Sequence, residues 1–316
     1  MRVYLLRRLL LIPPTLLLVT IIIFLLIRLI PGSVIDIMAA QAIGDQALNV
    51  RMVEEKLGLN VPIHVQYGRW MKNVMQGDLG ASLWTNRPVT QVLTERLPVS
   101  LELGTMAIII ALLIALPIGI YSAIRQDTAG DYIGRTFAIL CIALPSFWLG
   151  TIVVVLPSVW WGWSPSLNYV TFPEDPLGNL EIFIIPAVIM GMVMSGTTMR
   201  MTRTMMLEVL RQDYIRTAWS KGLSERVVVI RHAMKNALIP VVTIIGLQLP
   251  VLIGGSVVLE QIFVLPGVGR LLIEAITKRD YTVVSGINLF MAAFILVVNL
   301  AIDMTYAYLD PRVHYR

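Results

Sequence analysis

Residues 101–124 read LELGTMAIIIALLIALPIGIYSAI, and this stretch decides the fold. Its only charged side chain is Glu102, next to its start. As a helix the stretch is about 36 Å long at 1.5 Å per residue, enough to cross the roughly 30 Å hydrocarbon core of a bilayer. A lone segment in lipid must satisfy its backbone internally, and a helix does so. Reading outward from it, further runs of this kind lie at about 9–30, 136–159, 182–199 (running on toward Met206), 237–259 and 283–306. Within the six runs the charged residues are Arg28, Glu102 and Asp303, each a few residues from a run's end, where a side chain can meet headgroups. The expectation is an all-α polytopic membrane protein with six transmembrane helices. Residues 1–30 would hold the cytoplasmic N-terminus and helix 1, 31–98 a helical extracytoplasmic segment, and 99–316 the membrane core with a cytoplasmic loop at 200–236.

Composition agrees. The 316 residues are 57% hydrophobic and only 14% charged, against about 25% charged in an average soluble domain. The mean hydropathy is +0.77. An ordinary soluble enzyme, a disordered chain and a nucleic-acid binder are excluded. The pI of 9.4 does not argue for nucleic acid, because a net charge of +5 is spread over a membrane-type sequence. The single cysteine, Cys141, lies in an apolar run and reads as a core residue. The first run follows Arg2, Arg7 and Arg8 as a secretory signal would, and Ala40-Gln41-Ala42 offers a cleavage-like pattern. A signal's apolar region is about 7–15 residues, so this longer run reads as a retained span.

Basic residues set the expected orientation. Fifteen Lys and Arg fall in the N-terminus, 125–135, 200–236 and the C-terminus, against nine in 31–98, 160–181 and 260–282. Six of those nine sit in the long 31–98 loop, and long loops largely escape the rule. Both termini should therefore be cytoplasmic. Prolines punctuate five runs: Pro13-Pro14, Pro117, Pro145, Pro186, and Pro240 with Pro250. The fifth run also holds Gly246, Gly254 and Gly255. Such residues are kinks in a packed bundle, or they let that helix flex beside a pathway. Met190, Met194, Met201 and Met205 share one face of the fourth run, as core packing or as an adaptable pathway wall.

Several chemistries have no residues to carry them. There is no His-Glu-x-x-His pair, no Gly-x-Ser-x-Gly elbow and no P-loop, and His64, His232 and His314 lack ligand spacing. No catalytic residue, metal site or bound cofactor is expected, and the chain should not be an enzyme. An ion-coupled carrier usually needs ionisable groups at membrane depth. Their scarcity here points to energy supplied by another subunit.

The inside loop runs Asp213, Tyr214, Ile215, Arg216, Thr217, Ala218, Trp219, Ser220, Lys221, Gly222, Leu223, Ser224, Glu225, with Arg231-His232-Ala233-Met234-Lys235-Asn236-Ala237-Leu238-Ile239-Pro240 after it. It resembles the cytoplasmic loop of binding-protein-dependent ABC importer permeases, in the dipeptide/oligopeptide/nickel version. Of the broader family's Glu-Ala-Ala, three residues, then Gly, Ala218 and Gly222 are present, while Arg216 and Thr217 replace Glu and the first Ala. His232, Met234 and Lys235 stand where the broader pattern has Ile and Leu-Pro; these departures are those of the peptide-type subfamily. Further segments resemble the same subfamily: Gly58-Leu59, Pro62, Gln66-Tyr67, Trp70, Gly77-Asp78-Leu79-Gly80-x-Ser82 and Pro88-Val89 in the first outer loop. Glu260-x-Ile262-Phe263, Pro266-Gly267-x-Gly269-Arg270, Arg279-Asp280-Tyr281 and the closing Asp310-Pro311-Arg312 complete the series.

The resemblance implies a type I ABC importer permease fold. It implies a dipeptide permease B-like subunit forming half of a translocation pathway for peptides or similar small solutes. Residues 213–225 would be a coupling helix docked on an ATPase, with Tyr214, Ile215, Ala218 and Trp219 as anchors and Gly222 at the sharp exit. Met190, Met194, Pro240, Gly246, Pro250, Gly254 and Gly255 would lie at the pathway or gate. Implied partners are a homologous second permease, one or two ABC ATPase subunits carrying ATP and Mg, an extracytoplasmic solute-binding protein and membrane lipid, with no nucleic acid. The location would be a bacterial or archaeal cytoplasmic membrane. Other cargoes of the family, nickel or glutathione-like, remain open, and an ion-coupled carrier or a membrane enzyme are the rivals from other classes.

Overall fold

The structure, a computed structural model, describes residues 2–29, 60–166, 168–250, 254 and 256–309. The 30–59 part of the outer segment with Gly58-Leu59, Gly255, Asp310-Pro311-Arg312 and the side chains of Arg28 and Asp303 lie outside the described residues. Among the described residues the chain is helical, with one isolated antiparallel bridge, Ala81 to Pro88, and no strand. In order the helices are α1 (Arg2–Leu29), α2 (Ile63–Met75), α3 (Val89–Ile124), α4 (Ala129–Ala143), α5 (Ser146–Trp161) and α6 (Pro176–Leu210). There follow α7 (Asp213–Ser220), α8 (Glu225–Gln248), α9 (Val257–Ile262), α10 (Val268–Thr277) and α11 (Tyr281–Leu309). Five helices, α1, α3, α6, α8 and α11, are long and apolar enough to cross a membrane, and α4 with α5 makes a sixth if the pair is one bent span.

Two of the expected spans are redrawn. The third is not one rod: α4 and α5 meet at 90°. Leu144 is extended (ψ 119°), because the Pro145 ring disfavours a helical residue before it and proline brings no N–H to continue the ladder. The fifth is shifted toward the N-terminus, from the expected 237–259 to Glu225–Gln248, and includes a π-helical turn at Val228–Ala233. Hydropathy located the apolar run but not its helix; Pro250 stops the helix early, and the polar 225–236 segment joins it from the loop. The fourth span does run on, from Pro176 to Leu210. Its start is fixed by Asp175, whose side chain accepts from the Gly178 N–H at 3.1 Å, with Pro176 in the first turn.

The chain divides into two compact units. In the first (residues 99–269 and 297–316), Phe183, Ala187, Met190 and Met194 of α6 pack with Val99, Leu103, Ala107 and Ala111 of α3. A Cβ on Gly191 would lie 2.8 Å from the Ala107 carbonyl, and one on Gly196 2.8 Å from the Ala138 carbonyl. Small residues let helices approach this closely where lipid is as apolar as the side chains. A second cluster joins Ala123, Met206, Ile215, Val228, Ala233 and Ala237. In the second unit (2–98 and 270–296), Phe24 of α1 is 3% exposed and meets the rings of Tyr67 and Trp70 of α2 at 5.2 and 5.8 Å.

Candidate functional site

Helix α7 is only eight residues long, too short to hold itself in water. Ile215 (0% exposed) and Ala218 (6%) pin it into the second cluster, and Leu223 packs against the same cluster. Its other face is open: Tyr214 is 42% and Trp219 45% exposed, and Asp213, Arg216, Thr217, Ser220 and Lys221 are exposed with them. Of the four residues expected to anchor a partner, two therefore face outward and two hold the helix to its own chain. The Tyr214 hydroxyl accepts from Asn236 Nδ2 at 2.8 Å, which fixes the ring. The helix ends as the Gly222 N–H reaches the Trp219 carbonyl at 2.9 Å, with Gly222 at φ +73°. That left-handed conformation turns the chain out sharply and favours glycine. Beyond it Ser224 and Glu225 are exposed, and Glu225 lies 3.5 Å from Arg125 in an exposed pair worth little.

The stem that carries α7 is braced. Seven residues before the end of α6, Arg203 forks onto the fully buried Asp131 of α4, Nε to Oδ1 and Nη2 to Oδ2 at 2.8 Å each. Asp131 also accepts from Ser122 Oγ at 2.5 Å and from the Asp127 N–H at 3.0 Å. Sequence reading missed this site, placing Asp131 and Arg203 in separate loops. Nothing in either local sequence marks the pair.

The residues expected at a pathway scatter. Met190 (3%) and Met194 (6%) are buried in the α3–α6 core, not exposed on a wall. Gly246 is buried, and a Cβ there would lie 2.8 Å from Ile302 Cγ1 of α11, so it serves close packing. Pro240 lies within α8, half-buried; Pro250 follows its end, half-buried; Gly254 is exposed.

Segments far apart in the sequence close two polar sites. Ser82 Oγ donates to Asp280 Oδ2 at 2.6 Å across 198 residues of sequence. Asp280 in turn caps α11 through the Val283 N–H at 3.3 Å, and Trp84 Nε1 donates to the Lys278 carbonyl at 2.9 Å. Glu260 is fully buried on α9, accepting from Ser100 Oγ at 2.7 Å and Ser256 Oγ at 2.6 Å, while Ser100 Oγ takes the Val268 N–H at 2.9 Å.

Residues 115–315 match the family described as binding-protein-dependent transport system inner membrane component, and residues 1–104 match that system's N-terminal membrane component. The chain belongs to this family. The permease is 41% identical to the oligopeptide transport system permease protein AppB of Bacillus subtilis, over 100% of both chains. It is 38% identical, again over 100% of both, to the dipeptide transport system permease protein DppB of Alkalihalophilus pseudofirmus. Among solved structures, a crystal structure of an amino acid ABC transporter with histidines matches it with a TM-score of 0.51 at 14% identity, over 71% of this chain and 95% of that one. At that identity the likeness speaks to fold alone, and the fold is that of an ABC importer permease. The permease is thus a multi-pass inner-membrane transport component.

Proposed function

We propose that the permease forms half of an ATP-driven import path for peptides or similar small solutes. A homologous second permease completes the path, one or two ATPase subunits bind and hydrolyse ATP with Mg, and an extracytoplasmic protein delivers the solute. The peptide cargo rests on whole-length similarity to relatives named for oligopeptide and dipeptide transport. Helix α7 is the coupling element, with both termini and α7 on the cytoplasmic side. The observation that carries this reading is the split of α7, with Ile215 and Ala218 inside and Tyr214 and Trp219 outside. An aromatic pair on a short helix held rigidly from behind suits a groove on a partner, where aromatic residues tend to be hot spots. Force applied at α7 passes to α6 through the second cluster and the Arg203–Asp131 brace.

The test is Tyr214→Ala/Trp219→Ala in the full complex. Losing about 2 kcal/mol at a hot spot weakens docking roughly 30-fold. Co-purification of the ATPase should fall, and solute-stimulated ATP hydrolysis with it. Retention of both at wild-type level would refute docking through this face.

A further inference from the structure

One stripe of α6 changes character along its length. Phe183, Pro186 and Met190 follow one another at helical spacing of three and four, and all are buried. The same face continues through Thr197, Arg200 and Thr204, and there it is exposed. The switch from apolar and buried to polar and exposed falls between Met190 and Thr197, about 10 Å of helix. A lipid-facing surface has the opposite character, as at Leu113 (69% exposed) and Ile139 (60%). Arg200 makes no ion pair among the described residues, so its exposed guanidinium calls for water or an anionic partner.

Gln248, the last residue of α8, sits at the switch. Its Nε2 donates to Thr197 Oγ1 at 2.9 Å and lies 3.3 Å from Thr198 Oγ1 and from the Met194 carbonyl. Both threonine hydroxyls already donate to the Met194 carbonyl, so this amide edge must be the N–H₂ side. Oε1 therefore points away, and no described donor reaches it.

We propose that Thr197, Arg200, Thr204 and Gln248 line the solute path at the α7 end of α6. There Gln248 Oε1 accepts a peptide N–H and Arg200 pairs with the terminal carboxylate. The inference deepens the peptide-import reading and rests on it. Thr197 and Arg200 are about 4.5 Å apart along the helix, close to the 3.3–3.6 Å per residue of an extended peptide. One short chain can thus reach both groups, and guanidinium with carboxylate is the strong, oriented contact of the two.

The test uses the assembled complex in proteoliposomes. The sole cysteine, Cys141, is buried and is first changed (Cys141→Ala). Thr197→Cys and Thr204→Cys should then react with a charged, water-borne thiosulfonate added to both faces, and Ile139→Cys should not. Gln248→Leu should raise the KM for tri-alanine about fivefold, the loss of one ordinary hydrogen bond, with a smaller change in Vmax. Arg200→Met should remove at least a tenfold preference for tri-alanine over its C-terminal amide. The inference is overturned if both threonine-site cysteines are as inert as Ile139→Cys with and without vanadate-trapped nucleotide, which means lipid or the second permease covers this face. It is equally overturned if the variants keep wild-type KM and preference. If the unsubstituted complex takes up no tri-alanine on ATP, the peptide reading itself fails, while the labelling, which needs no cargo, still decides whether the face is wet.

Discussion

Replacing Asp131 with alanine should destabilise the permease by about 3 kcal/mol, through the charge it strands more than the bonds it removes. The two Arg203 contacts, at 2.8 Å each, are charge-assisted bonds of roughly 1.5–3 kcal/mol apiece. Against their sum stands partial rehydration: the Arg203 side chain is 18% exposed and its partner 0%, so the freed guanidinium recovers some water. That leaves a cost at the lower end of the roughly 3–5 kcal/mol seen when one member of a buried pair is removed. Arg135, 3.4 Å from the carboxylate and 37% exposed, adds little. Arg203→Met should cost as much, because it strands the carboxylate instead. The double variant Asp131→Ala/Arg203→Met removes both charges and should be more stable than either single one, a coupling that a double-mutant cycle reads directly. Thermal melting of the detergent-solubilised protein is the assay, with each single variant lowered by roughly 5 °C or more. Additive losses in the double variant, or single variants within about 1 kcal/mol of the parent, would refute the brace.

Two further substitutions separate backbone from packing. At Gly222 a Cβ meets nothing within 4 Å, yet φ is +73°, so any loss comes from conformation alone, about 1–2 kcal/mol for alanine and less for asparagine. Uptake per ATP hydrolysed should accordingly rank Gly above Asn, Asn above Ala and Ala above Val; an unchanged ratio for Val would show that the exit geometry of α7 does not matter. At Gly80 both terms act, with φ +84° and a Cβ that would lie 2.6 Å from Thr282 Cγ2. Gly80→Ala should therefore cost more than Gly222→Ala, on the order of 2–3 kcal/mol, checked by melting the two variants side by side.

The sequence made the helices legible because each spanning run satisfies one local rule, about 20 mostly apolar residues with at most one charge, near an end. Where a helix stops is also local, but it depends on single residues. Pro145 bends the third run and Pro250 ends the fifth, and a smoothed apolar window passes over both. The α7 segment was legible for a different reason: its own amphipathic pattern and Gly222 encode a short helix and a sharp exit. Even so, the pattern could not say which apolar residues face a partner. Ile215 and Ala218 turn inward because Met206, Val228 and Ala233 lie behind them, and those neighbours come from two other parts of the chain, α6 and α8. The Met190 and Met194 stripe is limited on the same ground: the residues sharing a helix face are readable, but that this face packs with α3 is not.

The polar contacts illegible from sequence share one trait, which bears on how such a bundle moves. Ser82–Asp280, Ser100–Glu260 and Arg203–Asp131 close gaps of 198, 160 and 72 residues, and each involves a carboxylate that is almost wholly buried. Where the hydrophobic effect cannot distinguish lipid from a neighbouring helix, such contacts set which helix ends meet, and each is costly to open once formed. The tie between α8 and α6 is of another kind. Among the described residues no charged pair joins these two helices, and Gln248 meets α6 through neutral bonds of 2.9–3.3 Å. A neutral bond contributes roughly 1 kcal/mol, about half of a charge-assisted one. Exchanging it for a peptide carbonyl or for water is thus nearly balanced, whereas exchanging the Arg203 fork is not. The fork keeps α6 and α4 together as a rigid stem for α7, and the joint free to open beside it is the end of α8.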